Sequence, residues 1–212
     1  ATRSNTAVFI TLDIFVCSGK TSHLPPLASR LREQGYDVLT LREPGGTAIG
    51  EQVREVLINL KNTAMHPRTE ILLFLAARAQ LVEEVIRPAL AAGKVVLCDR
   101  YADSTLAYQG YGHQVDLDVL RRLLAFATGG LVPDLTVLMD VDTETGLMRK
   151  RRPGGEWNRL DAYDIAFHCR VRQGYLELAH QEPERWQIID ASQPMEVVQS
   201  SLRQVILARL RA

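Results

Sequence analysis

Residues 8–22 read VFITLDIFVCSGKTS, and the fold follows from how that stretch divides. Val8, Phe9, Ile10 and Leu12 make a short apolar run, as expected of a parallel strand with both faces covered. Ser18-Gly19-Lys20-Thr21 then matches the second half of a phosphate-binding loop. In that motif backbone N–H groups and a helix N-terminus face phosphate oxygens, the lysine reaches the terminal phosphates and the Thr hydroxyl ligates Mg²⁺. The first half departs from the motif. Ile14 stands where a glycine allows a tight turn, and Phe15 and Val16 add bulk and strand propensity. Gly-Lys-Thr alone is also an ordinary tripeptide, and its strand-before, helix-after context is what favours phosphate.

Working outward, helices and strands alternate to the C-terminus. Leu24, Leu27 and Leu31 space a helix over 21–34, stopped by Gly35, with Pro25 and Pro26 expected to delay or distort its start. Strands are expected at 36–41, 94–98, 135–139 and 186–189. Helices are expected at 48–60 (Ile49, Val53, Val56 and Leu57 apolar) and at 69–92, bent near Pro88, with Ile71, Leu72, Leu75 and Leu81 as core. Further helices are expected at 117–126, from Asp142 or Thr143 to about 152, at 162–180 and at 195–211. This alternation implies an α/β fold: a doubly wound, five-stranded parallel sheet with helices on both faces, in one domain over 1–212.

Composition excludes several classes. The 25 basic residues balance the 25 acidic ones, so no polyanion-binding surface and no nucleic acid polymer partner is expected. No apolar run reaches a membrane span, and the polar N-terminal ATRSNT is unlike a signal peptide. Cys17, Cys98 and Cys169 have neither metal-ligand nor disulfide spacing, which fits a reducing cytoplasm. His23, His66, His113, His168 and His180 read as surface or packing residues rather than a metal cluster. No Ser-His-Asp or Cys-His constellation is legible.

The candidate chemistry sits where strands end. Ligands of open α/β sheets bind at the C-terminal strand edge, where Arg42-Glu43-Pro44-Gly45-Gly46-Thr47 and Asp99-Arg100-Tyr101 fall. Phe74 and Arg78 lie one helical turn apart. That pair is core packing beside a surface charge, or a ring and guanidinium that stack on and hydrogen-bond a nucleobase. Arg149-Lys150-Arg151-Arg152-Pro153-Gly154-Gly155 is a solvated helix end, or a lid (about 149–161) carrying Arg to a transferring phosphate.

Taken jointly, these motifs resemble the bacterial thymidylate kinases, over essentially the whole chain. Those that carry the resemblance are Arg42 to Thr47, Phe74-x-x-x-Arg78, Asp99-Arg-Tyr101, Ser104-Thr-x-Ala-Tyr-Gln-Gly110, Pro133-Asp-Leu-Thr136 and Asp140-Val-Asp142. The resemblance implies transfer of the γ-phosphate of ATP to dTMP, giving dTDP and ADP with Mg²⁺, by a homodimer. By resemblance Phe74 stacks on thymine, Arg78 hydrogen-bonds it, and Thr105 with Gln109 completes the base pocket. Tyr108 lies under the deoxyribose, Arg42 and Arg100 hold the dTMP phosphate, and Asp13 borders that site. Lys20 bridges the ATP phosphates in the loop Ile14-Phe15-Val16-Cys17-Ser18-Gly19, and Thr21 and Asp99 serve Mg²⁺. Arg151, Arg152 and Arg159 are lid donors, and Ala191-Ser192 lies near adenine. Such a site fits phosphoryl transfer, which needs alignment and cationic screening more than a protein nucleophile.

The departures cluster on the ATP side and at the reaction centre. Asp13-Ile14 replaces a usual Glu-Gly, Val16 replaces an acidic residue that contacts the 3′-hydroxyl, Cys17 replaces Gly, and Asn158 and Asp161 replace Asp and Glu. The alternative reading is therefore a catalytically impaired dTMP-binding pseudokinase. A kinase of another nucleoside monophosphate is a third reading, against which the base-pocket residues stand.

Overall fold

The computed structural model describes residues 7–14, 20–151 and 157–211, the side chains of 14 and 20–22 excepted. Strand β1 (Val8–Ile14) precedes α1 (Lys20–Glu33), β2 (Val38–Arg42), α2 (Ala48–Ile58) and α3 (Pro67–Leu81). A π-helical turn (Val82–Ile86) joins α3 to α4 (Arg87–Ala91) and β3 (Val95–Asp99). Helix α5 (Ala102–Thr105) runs into a π-helical segment (Leu106–Gly112), followed by α6 (Leu117–Thr128), β4 (Leu135–Asp140) and α7 (Thr143–Lys150). A 3-10 turn (Arg159–Ala162), α8 (Ile165–Gln181), β5 (Trp186–Asp190) and α9 (Met195–Arg211) complete the order.

All five strands are parallel, in the order β2-β3-β1-β4-β5. The doubly wound α/β fold is as the sequence implies. Strand alternation divides the core. Ile10, Leu12, Val95, Leu97, Val137 and Met139 pack against Leu27 and Leu31 of α1 and Leu202 and Ile206 of α9. Phe9, Val96 and Cys98 turn the other way, toward Leu81, Val82 and Ile86. From β1 the chain runs out to the edge strand β2, returns to β3 beside β1, and then crosses β1 to β4 and β5. The winding therefore changes side at β1, and the switch point of the sheet lies at its C-terminal end.

Several expectations are corrected. Helix α1 begins at Lys20 and continues through both prolines. Proline's φ is helical, and Pro25 and Pro26 are solvent-exposed, where water can serve the carbonyls left without donors. The irregularity expected at Pro88 appears before it, as the π turn, in which Arg87 N–H bonds Val82 O five residues back. Leu72 is 58% exposed and is not core. The helix expected from 162 starts at Ile165, because Asp164 caps it by accepting from Phe167 N at 2.7 Å. Strands β2 to β5 each extend one residue beyond expectation, so that Arg42, Asp99, Asp140 and Asp190 close them.

Candidate active site

The sheet register brings the first charged groups together. Asp99 aligns with Leu12 of β1 on one side and Arg42 of β2 on the other. The loop after Arg42 is held by Glu51, whose Oε1 accepts from Gly46 N at 2.7 Å while Oε2 accepts from Arg42 at 2.9 Å. Gly46 has φ of 86°, and a Cβ there would meet Leu81 Cδ1 at 2.8 Å, so this turn requires glycine. Thr47 caps α2 by accepting from Gly50 N.

Arg78 lies at the centre of a buried network. Its Nε donates to Glu43 Oε2 at 2.8 Å, Nη1 to Thr105 Oγ1 at 2.8 Å and Nη2 to Tyr101 O at 2.9 Å. Its guanidinium also stacks over the Tyr101 ring at 5.4 Å. Burial pushes the Glu43 carboxyl up, and the Arg78 charge pulls it back. Phe74, one turn before Arg78, is half-buried.

A second network surrounds Arg100, whose φ of 67° is strained for a residue with a side chain. Its backbone is pinned by Arg100 N donating to Leu12 O at 3.1 Å. Its guanidinium lies over the Tyr108 ring at 4.8 Å and donates to Tyr108 OH at 3.1 Å and Tyr175 OH at 3.3 Å. Ser104 Oγ and Tyr175 OH in turn donate to Asp13 Oδ1 at 2.5 and 3.2 Å. Asp13 is fully buried at the end of β1, and its carboxyl is raised to about 7. Burial is the first cause and the Asp103 charge the second, with Ser104, Arg100 and Tyr175 opposing.

A third cluster centres on Glu70, which is fully buried. It accepts from Gln109 Nε2 at 2.6 Å and Tyr163 OH at 3.0 Å, and lies 2.6 Å from Arg159 Nη2 and 3.2 Å from His113 Nε2. Burial pushes its carboxyl up, but hydrogen bonds from His113 and Gln109 and the Arg159 charge prevail and bring it to about 2. Arg159 is itself buried and donates to Leu57 O at 2.8 Å. Asn158 and Asp161 form a capping box around that turn, and Lys150 reaches Asp161 at 3.0 Å.

Known proteins match this sequence over most of the chain. A family model described as thymidylate kinase matches residues 17–202. The chain is 48% identical over 212 residues to the thymidylate kinase of Roseiflexus castenholzii, covering 94% of this chain and 93% of that one. It is 53% identical over 190 residues to the thymidylate kinase of Thermomicrobium roseum, covering 90% of each. To the thymidylate kinase of Deinococcus radiodurans it is 50% identical over 195 residues, covering 92% of this chain and 94% of that one.

The chain belongs to the thymidylate kinase family. Of the residues singled out for that family's chemistry, the structure brings Asp13, Arg100 and Tyr108 into one network and Arg78 with Thr105 into another. Gln109 joins the Glu70 cluster. Arg42 is exposed and tied to Glu51, and Asp99 is half-buried at the same strand edge. Arg151 is exposed and stacks over Trp157 at 5.2 Å. Arg159 is not with it but in the Glu70 cluster. Ala191 O and Ser192 O accept from Arg149 at 2.8 and 3.3 Å, so the end of α7 meets the loop after β5. Phe15, Val16, Cys17, Ser18, Gly19 and Arg152 lie outside the described residues, as do the side chains of Ile14, Lys20 and Thr21.

Sequence reasoning did not single out Glu70 or Tyr175, and gave Glu43 and Ser104 no role of their own. Glu70 carried a faint signal, an acidic residue at helical spacing from the apolar Phe74, Ala77 and Leu81. Tyr175 carried none, because a Tyr within a helix is ordinary packing. The Pro133-Asp134 motif serves the fold: Asp134 Oδ2 accepts from Phe9 N at 2.7 Å. Asp140 pairs with Arg172 through two bonds of 2.8 Å.

Proposed function

We infer that the chain transfers the γ-phosphate of ATP to dTMP, giving dTDP and ADP. The reading is carried by the whole-length likeness to proteins named thymidylate kinase. It is supported by the buried Arg78–Thr105 pair and the Arg100–Tyr108 stack, at one end of the sheet. Phe74 and Arg78 take the thymine face and edge, with Thr105 and Gln109 closing the base pocket. Tyr108 sits beneath the deoxyribose. Arg100, with Arg42, takes the dTMP phosphate, and Asp13 borders that site. Lys20 and the loop over residues 14–21 take the ATP phosphates, with Arg151 and Arg152 of a lid (about 149–161) and Ala191-Ser192 near adenine. Lining two phosphates with fixed cations stabilises charge that develops in transfer and aligns donor with acceptor.

Among the described residues no group of three or more His, Cys, Asp or Glu side chains could hold a metal. Mg²⁺ in a nucleotide site takes one or two protein oxygens and completes its shell with phosphates and water. Asp99 and Thr21 offer such hard oxygens, and Mg²⁺ bound there would screen the phosphate charge.

We further propose a single-domain, cytoplasmic homodimer. Among the described residues no helix is long and apolar enough to cross a membrane. On α2, Ile49 and Val56 are 53% and 43% exposed along one stripe, and Leu72 of the adjoining α3 is exposed too. A second copy is the occupant that fits a homodimer.

ADP release from Mg-ATP tests the reading, with dTMP as acceptor beside dUMP, dCMP and AMP and with Lys20→Ala as control. Turnover that needs dTMP and disappears with Lys20 is the expected result. Calorimetric dTMP binding without turnover would overturn it in favour of a binding protein, for which the comparisons give no support.

A further inference from the structure

Arg100 is held in place by two hydroxyls besides the Tyr108 ring. Two hydroxyls, Ser104 Oγ and Tyr175 OH, lie between its guanidinium and the buried carboxylate of Asp13. Each touches both sides. Ser104 Oγ donates to Asp13 Oδ1 at 2.5 Å and accepts from Arg100 Nη1 at 3.5 Å. Tyr175 OH lies 3.2 Å from Asp13 Oδ1 and accepts from the same Nη1 at 3.3 Å. The hydroxyls are 2.8 Å from each other, which closes the ring. Three separate elements supply the parts: Asp13 from β1, Ser104 from α5 and Tyr175 from α8. Tyr175 is fully buried, so its hydroxyl has no bulk water to prefer.

We propose that Tyr175 and Ser104, backed by Asp13, are positioning residues that fix the Arg100 guanidinium for the phosphate of the nucleoside monophosphate. A carboxyl oxygen that accepts from two hydroxyls, as Asp13 Oδ1 does, orients their oxygen lone pairs outward, toward the cation. Nη1 is thereby aimed before any ligand arrives, and the Tyr108 stack fixes the plane of the group from another side. A guanidinium already oriented loses less side-chain entropy when a phosphate binds, and it stabilises charge without reorganising. The strained backbone of Arg100 fits this role, since such strain persists only where the surroundings hold it. The inference rests on the proposed contact between Arg100 and the dTMP phosphate.

The test compares binding of dTMP with binding of thymidine, which lacks the phosphate, by calorimetry. Tyr175→Phe keeps the ring and removes only the relay hydroxyl. It should weaken dTMP about tenfold and leave thymidine within about twofold of the parent. Ser104→Ala should do the same, and serves if Tyr175→Phe does not fold by circular dichroism. Equal loss for both ligands would mean a merely structural role and would overturn the inference, as would unchanged dTMP affinity. Arg100→Ala separates the two levels. If it removes the advantage of dTMP over thymidine while the relay variants do not, only the relay is wrong. If Arg100→Ala leaves that advantage intact, the phosphate contact and the relay fall together.

Discussion

Arg78 and Glu43 form an ion pair of 2.6 Å with side chains only 1% and 3% exposed. Glu43 belongs to the loop after β2 and Arg78 to α3, so the pair fastens the glycine-rich loop to the helix that carries Phe74. A buried pair adds little over a hydrophobic substitute, but removing one partner strands a charge out of water. Glu43→Gln keeps the volume and an acceptor while deleting the charge. It should lower unfolding stability by roughly 3–5 kcal/mol, read from the denaturant midpoint. An unchanged midpoint would show that water or relaxation compensates the guanidinium.

Glu70 sets the acid limb of stability. Its carboxyl is ordinary at 4.5 when unfolded and about 2 when folded, because His113, Gln109 and Arg159 outweigh the opposing effect of burial. The unfolded chain therefore binds more protons between those values, and the stabilisation is lost as pH falls from about 5 toward 2. Glu70→Gln removes that titration. Its stability should vary less with pH over this window than the parent's, by an amount on the order of 3 kcal/mol. Parallel stability curves from pH 6 to pH 2.5 would refute the assignment.

Arg159 and Arg151 should respond oppositely. Arg159 bonds Leu57 O, Tyr163 OH and Glu70 from a buried position, so Arg159→Ala leaves a carbonyl and a buried carboxylate short of donors. A loss of about 3 kcal/mol in stability is expected. Arg151 is exposed beside Trp157, so Arg151→Ala should leave the midpoint within about 0.5 kcal/mol and lower kcat by about 10-fold or more. Were Arg159→Ala to cut kcat with full stability retained, it would belong with the lid donors after all.

The contrast between these arginines shows what a sequence carries. The sheet was legible because VFITL, KVVLC and LTVLM are apolar runs bounded by turn residues, and strand type follows from local pattern. The charged strand ends were legible for the same reason. Arg159 was not, because its partners Leu57 and Glu70 come from other elements, and only packing decides whether a cation in a basic run is solvated or buried. Leu72 failed in the opposite sense: helical spacing placed it with Ile71 and Leu75, yet it faces solvent. Tyr175 needed the α8 register before its hydroxyl could be set beside Asp13, a residue 162 positions away. The π-helical segment over Leu106–Gly112 has no sequence signature, and it carries Tyr108 and Gln109.

The stripe on α2 bears on assembly. Ile49 and Val56 recur at helical spacing, with half-buried Val53 between them. If a second copy covers them, a charge at the stripe must be desolvated on association, and Val56→Asp should dissociate the assembly. Sedimentation velocity at micromolar protein should then show a dimer for the parent and a monomer for Val56→Asp. A monomeric parent would remove the homodimer from the proposal.

Asp13 has the reverse sign to Glu70. Burial and the Asp103 charge raise its carboxyl from 3.8 to about 7, so the folded chain holds a proton that the unfolded chain releases. Its contribution is most favourable below about pH 4, declines as pH rises through 7 and is level above that. Asp13→Asn has no such proton. The stability of Asp13→Asn relative to the parent should therefore increase between pH 4 and 7 and then stay constant. The rise should be of order 1–4 kcal/mol, obtained from denaturant curves at pH 4.5, 6 and 8. A difference that stays flat from pH 4.5 to 8 would mean that Ser104, Tyr175 and Arg100 hold Asp13 as an anion throughout, outweighing its burial.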